Sequence, residues 1–272
     1  MIQDIVPALN NAYDPSVTPS AEDAVFSFEG EALLLHGESR ALPLARQLPP
    51  GLPLTYAFSI GERRFFLALT AVETPSGFTR VGFRELRTLL QEDRPLLFAV
   101  FTAKHLVEWY RDTARCGRCG EKTVHSSRER AMICPACGHT FYPRIQPAVI
   151  VGVIKGDQLL LTRYNRGYAH NALVAGFTEI GETLEQTVSR EVMEEAGIPV
   201  RDIRYYKSQP WGSAGDILAG FYCDADGDAP LKVDRNELKS AVWTGRDQIE
   251  LQPDDLSLTN EMMKRFKEGK PC

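Results

Sequence analysis

Residues 176–198 read Gly-Phe-Thr-Glu-Ile-Gly-Glu-Thr-Leu-Glu-Gln-Thr-Val-Ser-Arg-Glu-Val-Met-Glu-Glu-Ala-Gly-Ile, and this stretch decides the fold of the chain. It begins as a loop punctuated by glycines, which give the backbone conformational freedom. Thr183 followed by Gln186 is typical of a capping box and predicts that a helix begins there. Gly197 predicts the end of that helix, because glycine is the usual residue just after a C-terminal turn.

One face of the predicted helix is acidic. Glu191, Glu194 and Glu195 lie at i, i+3 and i+4, so their carboxylates share that face. Like charges at this spacing repel, whereas a hard divalent cation bound through oxygen turns the repulsion into ligation. The alternative is a solvated acidic face on which Arg190 pairs with Glu194 or Gln186. An apolar stripe beside the acidic face predicts docking on a sheet. It consists of Leu184, Val188, Val192 and Ala196.

The stretch matches the Nudix box at every defined position, so the chain resembles the Nudix hydrolases. The matching positions are Gly176, Glu182, Arg190, Glu191, Glu194, Glu195 and Gly197, with aliphatic residues at Val192 and Ile198. Such enzymes split a nucleoside diphosphate linked to another moiety, so the resemblance implies the reaction and leaves the substrate open. A non-catalytic module that senses nucleotides or binds RNA is a further alternative, which the complete set of carboxylates disfavours.

Catalytic roles follow from the resemblance by position. Glu191, Glu194 and Glu195 would bind Mg²⁺ or Mn²⁺, and Glu195 would also act as the general base. Arg190 would hold these glutamates in place through Glu182.

Family members usually add a carboxylate from outside the box. Glu237, in Arg-Asn-Glu-Leu, lies where one is expected. The alternative for Glu237 is an ordinary surface acid.

Strand patterns surround the box, and a last helix follows them. Buried strands are predicted on both sides of the box helix, and the closing helix would bury Met262, Met263 and Phe266. This order predicts an α+β chain whose Nudix part, residues 143–272, is an α/β/α sandwich around a mixed sheet. The predicted elements are strands at 148–154, 158–163, 205–209, 217–223 and 241–243, and a helix at 257–267, while residues 173–175 lead into the box.

Four cysteines precede this domain in a metal-type arrangement. Cys116-Gly-Arg-Cys119 and Cys134-Pro-Ala-Cys137 are each followed by glycine, which predicts a zinc ribbon over residues 111–142. Four thiolates complete the zinc tetrahedron, so the predicted Zn²⁺ site is structural. Redox-active dithiols or free buried thiols are the alternatives. Cys223 is expected in a buried strand, and Cys272 is a terminal thiol without an evident role.

Residues 1–110 predict a β-rich domain that ends in a connecting helix. Short strands are expected at 24–28 and 31–35, a hairpin at 56–60 and 63–69, and helices at 83–90 and 96–115. This part shows no catalytic constellation, and its default role is structural or dimer-forming.

The length of 272 residues predicts one large or two ordinary domains with real cores, and the composition is that of a cytoplasmic protein. Apolar residues make up 43% of the sequence, and the formal net charge is −5. No basic tract indicates obligate nucleic-acid binding. No apolar run reaches the ~18 residues of a membrane span, and no signal peptide is visible.

Two features of the sequence narrow the range of expected substrates. The ribbon stands directly before the Nudix part, and Ser208-Gln209-Pro210-Trp211 follows the box. In both respects the chain is similar to the NADH pyrophosphatase family. That resemblance implies cleavage of NAD(H) to nicotinamide mononucleotide and AMP, removal of NAD caps from RNA 5′ ends, and a homodimer.

The resemblance also implies an aromatic substrate pocket. Phe177 and Tyr142 match its stacking positions, and Trp211 matches a residue that the partner subunit donates. Ordinary core packing is the alternative for each of the three. The predicted substrate-binding set is Phe177, Tyr142, Trp211, Gln209, Ala175 and Gly176.

One departure from the family bears on specificity. Its best-known members continue Trp-Pro-Phe-Pro-x-Ser, whereas here Trp211 is followed by Gly-Ser-Ala-Gly-Asp at residues 212–216. The small, flexible loop leaves open a broader dinucleotide or ADP-ribose pyrophosphatase.

Overall fold

The computed structural model of the chain describes residues 1–165 and 170–270. The chain folds into two compact units, which are described separately. The N-terminal unit comprises Gln3–Arg144 and Gly212–Gly215, and the C-terminal unit comprises Met1–Ile2, Ile145–Trp211 and Asp216–Cys272. The division into residues 1–110, 111–142 and 143–272 stays a prediction.

A six-stranded sheet dominates the N-terminal unit, which confirms that this part is β-rich. Its strands are β1 (Leu9–Asn10), β2 (Ala24–Glu29), β3 (Ala32–His36), β4 (Leu54–Ile60), β5 (Arg63–Ala68) and β6 (Phe78–Gly82), in the order β1-β4-β5-β2-β3-β6. Only β2 and β5 run parallel among these neighbours. Buried phenylalanines from β2, β4 and β5 pack together, with ring centroids of Phe26 and Phe65 5.5 Å apart.

Two helices and the ribbon complete the N-terminal unit. Helix α1 spans Phe83–Leu89 and α2 spans Arg94–Asp112. Helix α2 begins slightly earlier than predicted, because Asp93 caps it by accepting a hydrogen bond from the Leu96 N–H at 3.0 Å. The ribbon contributes three antiparallel strands, β7 (Val124–His125), β8 (Met132–Ile133) and β9 (Thr140–Phe141).

The C-terminal unit contains the mixed sheet that the sequence predicts. Its strands are β10 (Gln146–Lys155), β11 (Gln158–Tyr164), β12 (Val174–Phe177), β13 (Val200–Trp211), β14 (Asp216–Ala225) and β15 (Leu238–Gly245). The order is β13-β14-β10-β11-β15, and β12 pairs with β10. Strands β10 and β14 are parallel and the other pairs are antiparallel.

A helix covers each face of this sheet, so the predicted α/β/α sandwich is confirmed. Helix α3 (Leu184–Ala196) packs Val188 and Val192 into one core with alternate residues of β10 such as Val151. Helix α4 (Leu258–Lys267) packs Met262, Met263 and Phe266 into a second core on the opposite face. Period-two alternation along β10 sends successive side chains into the two cores.

Some boundaries differ from prediction. Strand β13 is much longer than residues 205–209, because its ladder with β14 carries polar residues of an edge strand at both ends. Cys223 is buried in β14 as predicted, and Cys272 lies outside the described residues. No helix in residues 1–165 and 170–270 has the length and apolarity needed to cross a membrane.

Candidate functional site

Helix α3 presents the acidic face, and both of its ends form as the sequence predicts. The Thr183 hydroxyl accepts a hydrogen bond from the Gln186 N–H at 3.2 Å, and Gln186 Oε1 accepts one from the Thr183 N–H at 2.8 Å. Gly197 adopts a left-handed conformation with φ 70° and ends the helix. These caps fix which residues of the box face the sheet.

Arg190 is the centre of the carboxylate network. Its guanidinium donates two hydrogen bonds to Glu182, from Nε at 2.7 Å and from Nη2 at 3.0 Å. Its Nη1 donates to Glu191 at 2.7 Å and to Glu194 at 3.0 Å. Nη2 also donates to the Phe177 carbonyl at 2.9 Å, which ties the helix to the end of β12. The arginine therefore pairs with Glu194, as the solvated-face alternative expects, and also organises the other carboxylates.

Glu182 is held as an anion. Hydrogen bonds from Arg190 are the main reason that its pKa falls to about 2, and the Glu179 N–H and the Thr187 hydroxyl lower it further. Hydrogen bonds to Glu182, and then to Glu191 and Glu194, raise the pKa of Arg190. The pair stays fully charged at neutral pH, so its geometry does not depend on proton exchange.

Glu191 lies directly against Gly176 of β12. A β-carbon built on Gly176 would overlap the Glu191 carboxyl group. Burial raises the pKa of Glu191, while Arg190 opposes that rise. The Glu191 carboxylate can therefore occupy its position only because residue 176 is a glycine.

Glu195 is the most buried carboxylate of the site. It is 2% exposed, and neither carboxylate oxygen has a hydrogen-bond partner. Burial and then the charge of Glu191 raise its pKa to about 8, and the nearby Ala175 backbone N–H, which is too distant or too poorly aligned for a hydrogen bond, offsets only part of that rise. A buried, unpartnered carboxylate is costly unless a charge or a ligand compensates it.

Glu237 and Tyr164 lie in the electrostatic range of this cluster. Glu237 raises the pKa values of both Glu191 and Glu195. Burial, and then the charges of Glu195, Glu237 and Glu191, raise the pKa of Tyr164. The predicted carboxylate from outside the box is thus close enough to interact with it, and Tyr164 is a neighbour that sequence patterns do not reveal.

These residues fit a divalent cation. Oxygen donors of negative charge are what Mg²⁺ and Mn²⁺ prefer. The orphaned oxygens of Glu195 and the space kept clear by Gly176 fit the same interpretation. Among the described residues only the four cysteines place their ligand atoms within 4.8 Å of one another. The glutamates do not meet this criterion, and Arg190 donates to two of them, Glu191 and Glu194.

The four ribbon cysteines converge as a zinc site requires. Sγ–Sγ distances are 3.4 Å for Cys119–Cys134 and 3.6 Å for Cys116–Cys137. A tetrahedron of thiolates at ~2.3 Å from Zn²⁺ has edges of about 3.8 Å. Each knuckle is closed by a glycine with positive φ, whose N–H donates to the carbonyl of Cys116 or Cys134. The ribbon is a structural zinc site.

The predicted aromatic residues differ in exposure. Phe177 is 49% exposed at the end of β12, and Tyr142 in the N-terminal unit is 59% exposed. The Tyr142 hydroxyl donates to Glu129 at 3.0 Å. Trp211 is half-buried at the end of β13, opposite Asp216 in the ladder. Phe177 and Tyr142 therefore have ring surface available for stacking.

Gln209 is buried inside the C-terminal unit. It is fully buried, its Nε2 donates to the Leu256 carbonyl at 2.9 Å, and its Oε1 accepts from the Leu258 N–H at 2.7 Å. The amide thereby fixes the segment that leads into α4. The substrate-binding role of Gln209 stays a prediction. Ala175, beside Gly176, packs toward the α4 core.

Two further residues escape sequence analysis. Thr187 is fully buried on α3 and occupies an undefined position of the box. Asp216 is 6% exposed with its Oδ1 unpaired, and burial raises its pKa to about 6. The departure from the family at residues 212–216 was the only signal for Asp216, and Thr187 had none.

Comparisons with known proteins agree with this geometry. Residues 144–266 match the family model described as the NUDIX domain, and residues 111–142 match the NADH pyrophosphatase zinc ribbon domain. A crystal structure of a NUDIX hydrolase from Nitrosomonas europaea superposes with a TM-score of 0.51 at 23% identity. That match covers 58% of this chain and 94% of the other, and shows the fold alone.

Curated relatives carry a common description, NAD-capped RNA hydrolase NudC. The protein from Klebsiella pneumoniae is 42% identical over 171 residues, which is 62% of this chain and 65% of the relative. The protein from Photorhabdus laumondii is 38% identical over 181 residues, which is 66% of this chain and 70% of the relative. The chain thus spans just under two thirds of the length of the Klebsiella relative.

Proposed function

Because this chain belongs to the NADH pyrophosphatase (NAD-capped RNA hydrolase) family of zinc-ribbon Nudix hydrolases, we propose that it hydrolyses the pyrophosphate bond of NAD(H). The products would be nicotinamide mononucleotide and AMP. By the same reaction it would remove NAD caps from RNA 5′ ends. One observation carries the proposal, namely the buried, unpartnered carboxylate of Glu195 beside the Arg190 network.

The proposed mechanism assigns one task to each part of the site. Glu191, Glu194, Glu195 and Glu237 would hold Mg²⁺ or Mn²⁺. A divalent cation bound there would neutralise pyrophosphate oxygens and make a nearby water more acidic. Water attacks one phosphorus, the bond to the bridging oxygen breaks, and Glu195 takes the proton of the water.

Burial and then the charge of Glu191 raise the pKa of Glu195, and a cation bound by these carboxylates would lower it again. Glu195 would then be the anion that takes the proton of the water. Arg190 and Glu182 do not exchange protons in this scheme. They fix Glu191 and Glu194 in orientation, since the guanidinium donates to both.

Glu195→Gln tests the proposed base. It should lower kcat on NADH by about 10²–10⁴-fold, the usual contribution of a general base. The fold should remain intact, because the amide is close in size to the carboxyl group that it replaces. Glu185→Gln is the matched control, since Glu185 is an exposed residue of the first turn of the same helix. Activity of Glu195→Gln close to wild type would remove Glu195 from the role of base.

Substrate choice needs a panel assay. NADH, NAD⁺, ADP-ribose, diadenosine polyphosphates and NAD-capped RNA would be compared by kcat/KM. We propose that nicotinamide dinucleotides rank first and that Phe177, Tyr142 and Trp211 stack on flat rings. Trp211→Ala should then raise KM for NADH more than KM for ADP-ribose. An equal rise for both substrates would separate Trp211 from the nicotinamide end.

A broader dinucleotide or ADP-ribose pyrophosphatase is the second candidate. The observation that favours it is the loop Gly212–Gly215, which lacks the prolines and phenylalanine of the best-known members. Gly212 packs closely on α2, where a β-carbon would overlap the Phe101 carbonyl. NADH ranking far below ADP-ribose in the panel would select this candidate.

We also propose a homodimer and a cytoplasmic location. The homodimer is carried over from the resemblance, and size-exclusion chromatography with light scattering tests it. None of the cysteines among the described residues forms a disulfide, which is typical of a reducing compartment: four form the zinc site and Cys223 is a buried thiol.

A further inference from the structure

We propose that Thr187 is a positioning residue of the catalytic site, acting through Glu182 and Arg190 on the carboxylates that would bind the cation. This inference rests on the proposed function. Thr187 belongs to no defined position of the box, and it touches none of the residues assigned to substrate. Its side chain is fully buried on α3, one turn before Glu191.

The contact with Glu182 is the starting point. The Thr187 hydroxyl lies 3.0 Å from Glu182 Oε2 and 3.1 Å from the Thr183 carbonyl oxygen. A hydroxyl has one proton to donate. The carboxylate is the stronger acceptor, because hydrogen bonds to ionised groups are shorter and stronger than those to neutral ones. Glu182 is ionised at neutral pH, so the hydroxyl bond goes preferentially to it.

Glu182 is then fully determined in orientation. Its Oε2 accepts from the Glu179 N–H at 3.0 Å, from Thr187 and from Arg190 Nη2. Its Oε1 accepts from Arg190 Nε at 2.7 Å. The backbone N–H and the hydroxyl are the two donors on this oxygen that do not belong to Arg190. Loss of the hydroxyl leaves the Glu179 N–H as the one donor from the described residues that holds the carboxylate independently of the guanidinium, so its orientation is less restrained.

Arg190 transmits this orientation to the metal-type carboxylates. The guanidinium that donates to Glu182 through Nε and Nη2 also donates through Nη1 to Glu191 and Glu194. A guanidinium is planar and rigid, so a rotation of its anchor displaces every group it contacts. Residues that hydrogen-bond to metal-ligating carboxylates affect metal affinity strongly. Thr187 does not contact such a carboxylate itself and would act on them through Glu182 and Arg190.

A packing role is the competing interpretation, and it predicts a different outcome. A buried threonine that only fills space can be replaced by valine of similar shape without loss of function. Thr187→Val would then leave metal affinity and kcat/KM unchanged. On our proposal it raises the Mn²⁺ dissociation constant by about 3- to 10-fold and lowers kcat/KM by a similar factor. Thr187→Ser keeps the hydroxyl and should stay within about twofold of wild type for both quantities.

The experiment measures Mn²⁺ binding by electron paramagnetic resonance and NADH hydrolysis in parallel on the full chain. The matched control is Ser189→Ala, since Ser189 Oγ donates to the Glu185 carbonyl on the same helix at 3.1 Å and contacts no carboxylate. It reports the loss of a side-chain bond to the helix backbone alone. It should change neither readout.

A double-mutant cycle with Glu182→Gln decides whether Thr187 acts through Glu182. In the Glu182→Gln background, Thr187→Val should add less than about twofold, because coupled residues are not additive. A full effect in that background, or wild-type Mn²⁺ affinity in Thr187→Val, would overturn the proposal. Thr187→Ala serves in the same cycle if the valine variant does not fold. Absence of NADH turnover in the wild type would count against the proposed function alone, since the Mn²⁺ measurements still test Thr187.

Discussion

Gly176→Ala is the sharpest perturbation that the site offers. A β-carbon at residue 176 would occupy the position of the Glu191 carboxyl group, so the two cannot coexist in their present places. The obstacle is the end of a flexible side chain, and the backbone of β12 can stay where it is. The substitution should therefore displace Glu191 while the fold survives.

The cost to stability follows from the contacts that Glu191 loses. Its 2.7 Å hydrogen bond from Arg190 is charge-assisted, and such bonds contribute about 1.5–3 kcal/mol. A side chain pushed out of its preferred rotamer costs about 0.5–1.5 kcal/mol more. We expect the free energy of unfolding to fall by about 2–4 kcal/mol. For a chain of this size each kcal/mol lowers Tm by about 2–4 °C.

The cost to activity should be larger. A misplacement of about 1 Å in a catalytic group can reduce the rate by ~10²-fold. We therefore expect kcat/KM on NADH to fall by about two orders of magnitude, at a temperature where the variant is folded. Circular dichroism melts and a coupled phosphate-release assay provide the two readouts.

Gly152→Ala is the control for a strand glycine of the same sheet. A β-carbon there would lie 2.7 Å from the ring of Tyr222, which is fully buried and donates to the Met262 carbonyl at 2.7 Å. That variant should lose stability without a specific loss of kcat/KM. Wild-type kcat/KM in Gly176→Ala would refute the placement of Glu191 in the reaction.

Three further substitutions test other parts of the account. Asp216→Asn should raise the free energy of unfolding at pH 7 by at most about 3 kcal/mol, because burial lifts the pKa of this carboxyl to about 6 from 3.8. The folded state binds the proton of Asp216 more tightly than the unfolded state, so the stability that this proton contributes is complete below pH 3.8 and is lost as pH rises toward 6. Urea titrations of wild type and variant across pH 4–7 should show this fall in the free energy of unfolding with pH only in the wild type. Gln209→Ala should lower the free energy of unfolding by about 1–3 kcal/mol, since it leaves the Leu258 N–H unpaired, while the Leu256 carbonyl keeps the hydrogen bond from the Ile2 N–H. Urea unfolding measures this loss, and a change in KM without a change in stability would favour the substrate-binding role. Cys134→Ser should destabilise the chain, and elemental analysis should find about one zinc per wild-type chain; a metal-free wild type of equal stability would contradict the ribbon.

Local signals account for what could be predicted. The bounds of α3 followed from Thr183, Gln186 and Gly197, because a capping box and a glycine cap act within one turn of helix. The spacing of apolar residues along the sequence predicted which side of α4 is buried, and it also predicted the strand β10. The ribbon followed from cysteine spacing, which a tetrahedral metal site constrains directly.

Non-local contacts account for the rest. Gln209 reads as a motif residue, yet its amide is used by a segment far along the chain. Nothing near Thr187 in the sequence shows that its hydroxyl meets Glu182, since that depends on the loop that precedes the helix. The parallel pairing of β10 with β14 is likewise fixed by the whole sheet. Glu237 interacts with the cluster electrostatically, while its role as a ligand stays a prediction.

Crystals grown with Mn²⁺ and AMP test the central claim most directly, through an anomalous difference map at the manganese edge. The account predicts a peak at metal–oxygen contact distance, about 2.1 Å for a site of the Mg²⁺ type, from carboxylates of Glu191, Glu194 or Glu195. A map with anomalous density only among the four ribbon cysteines, and with the glutamates bound to Arg190 alone, would contradict it.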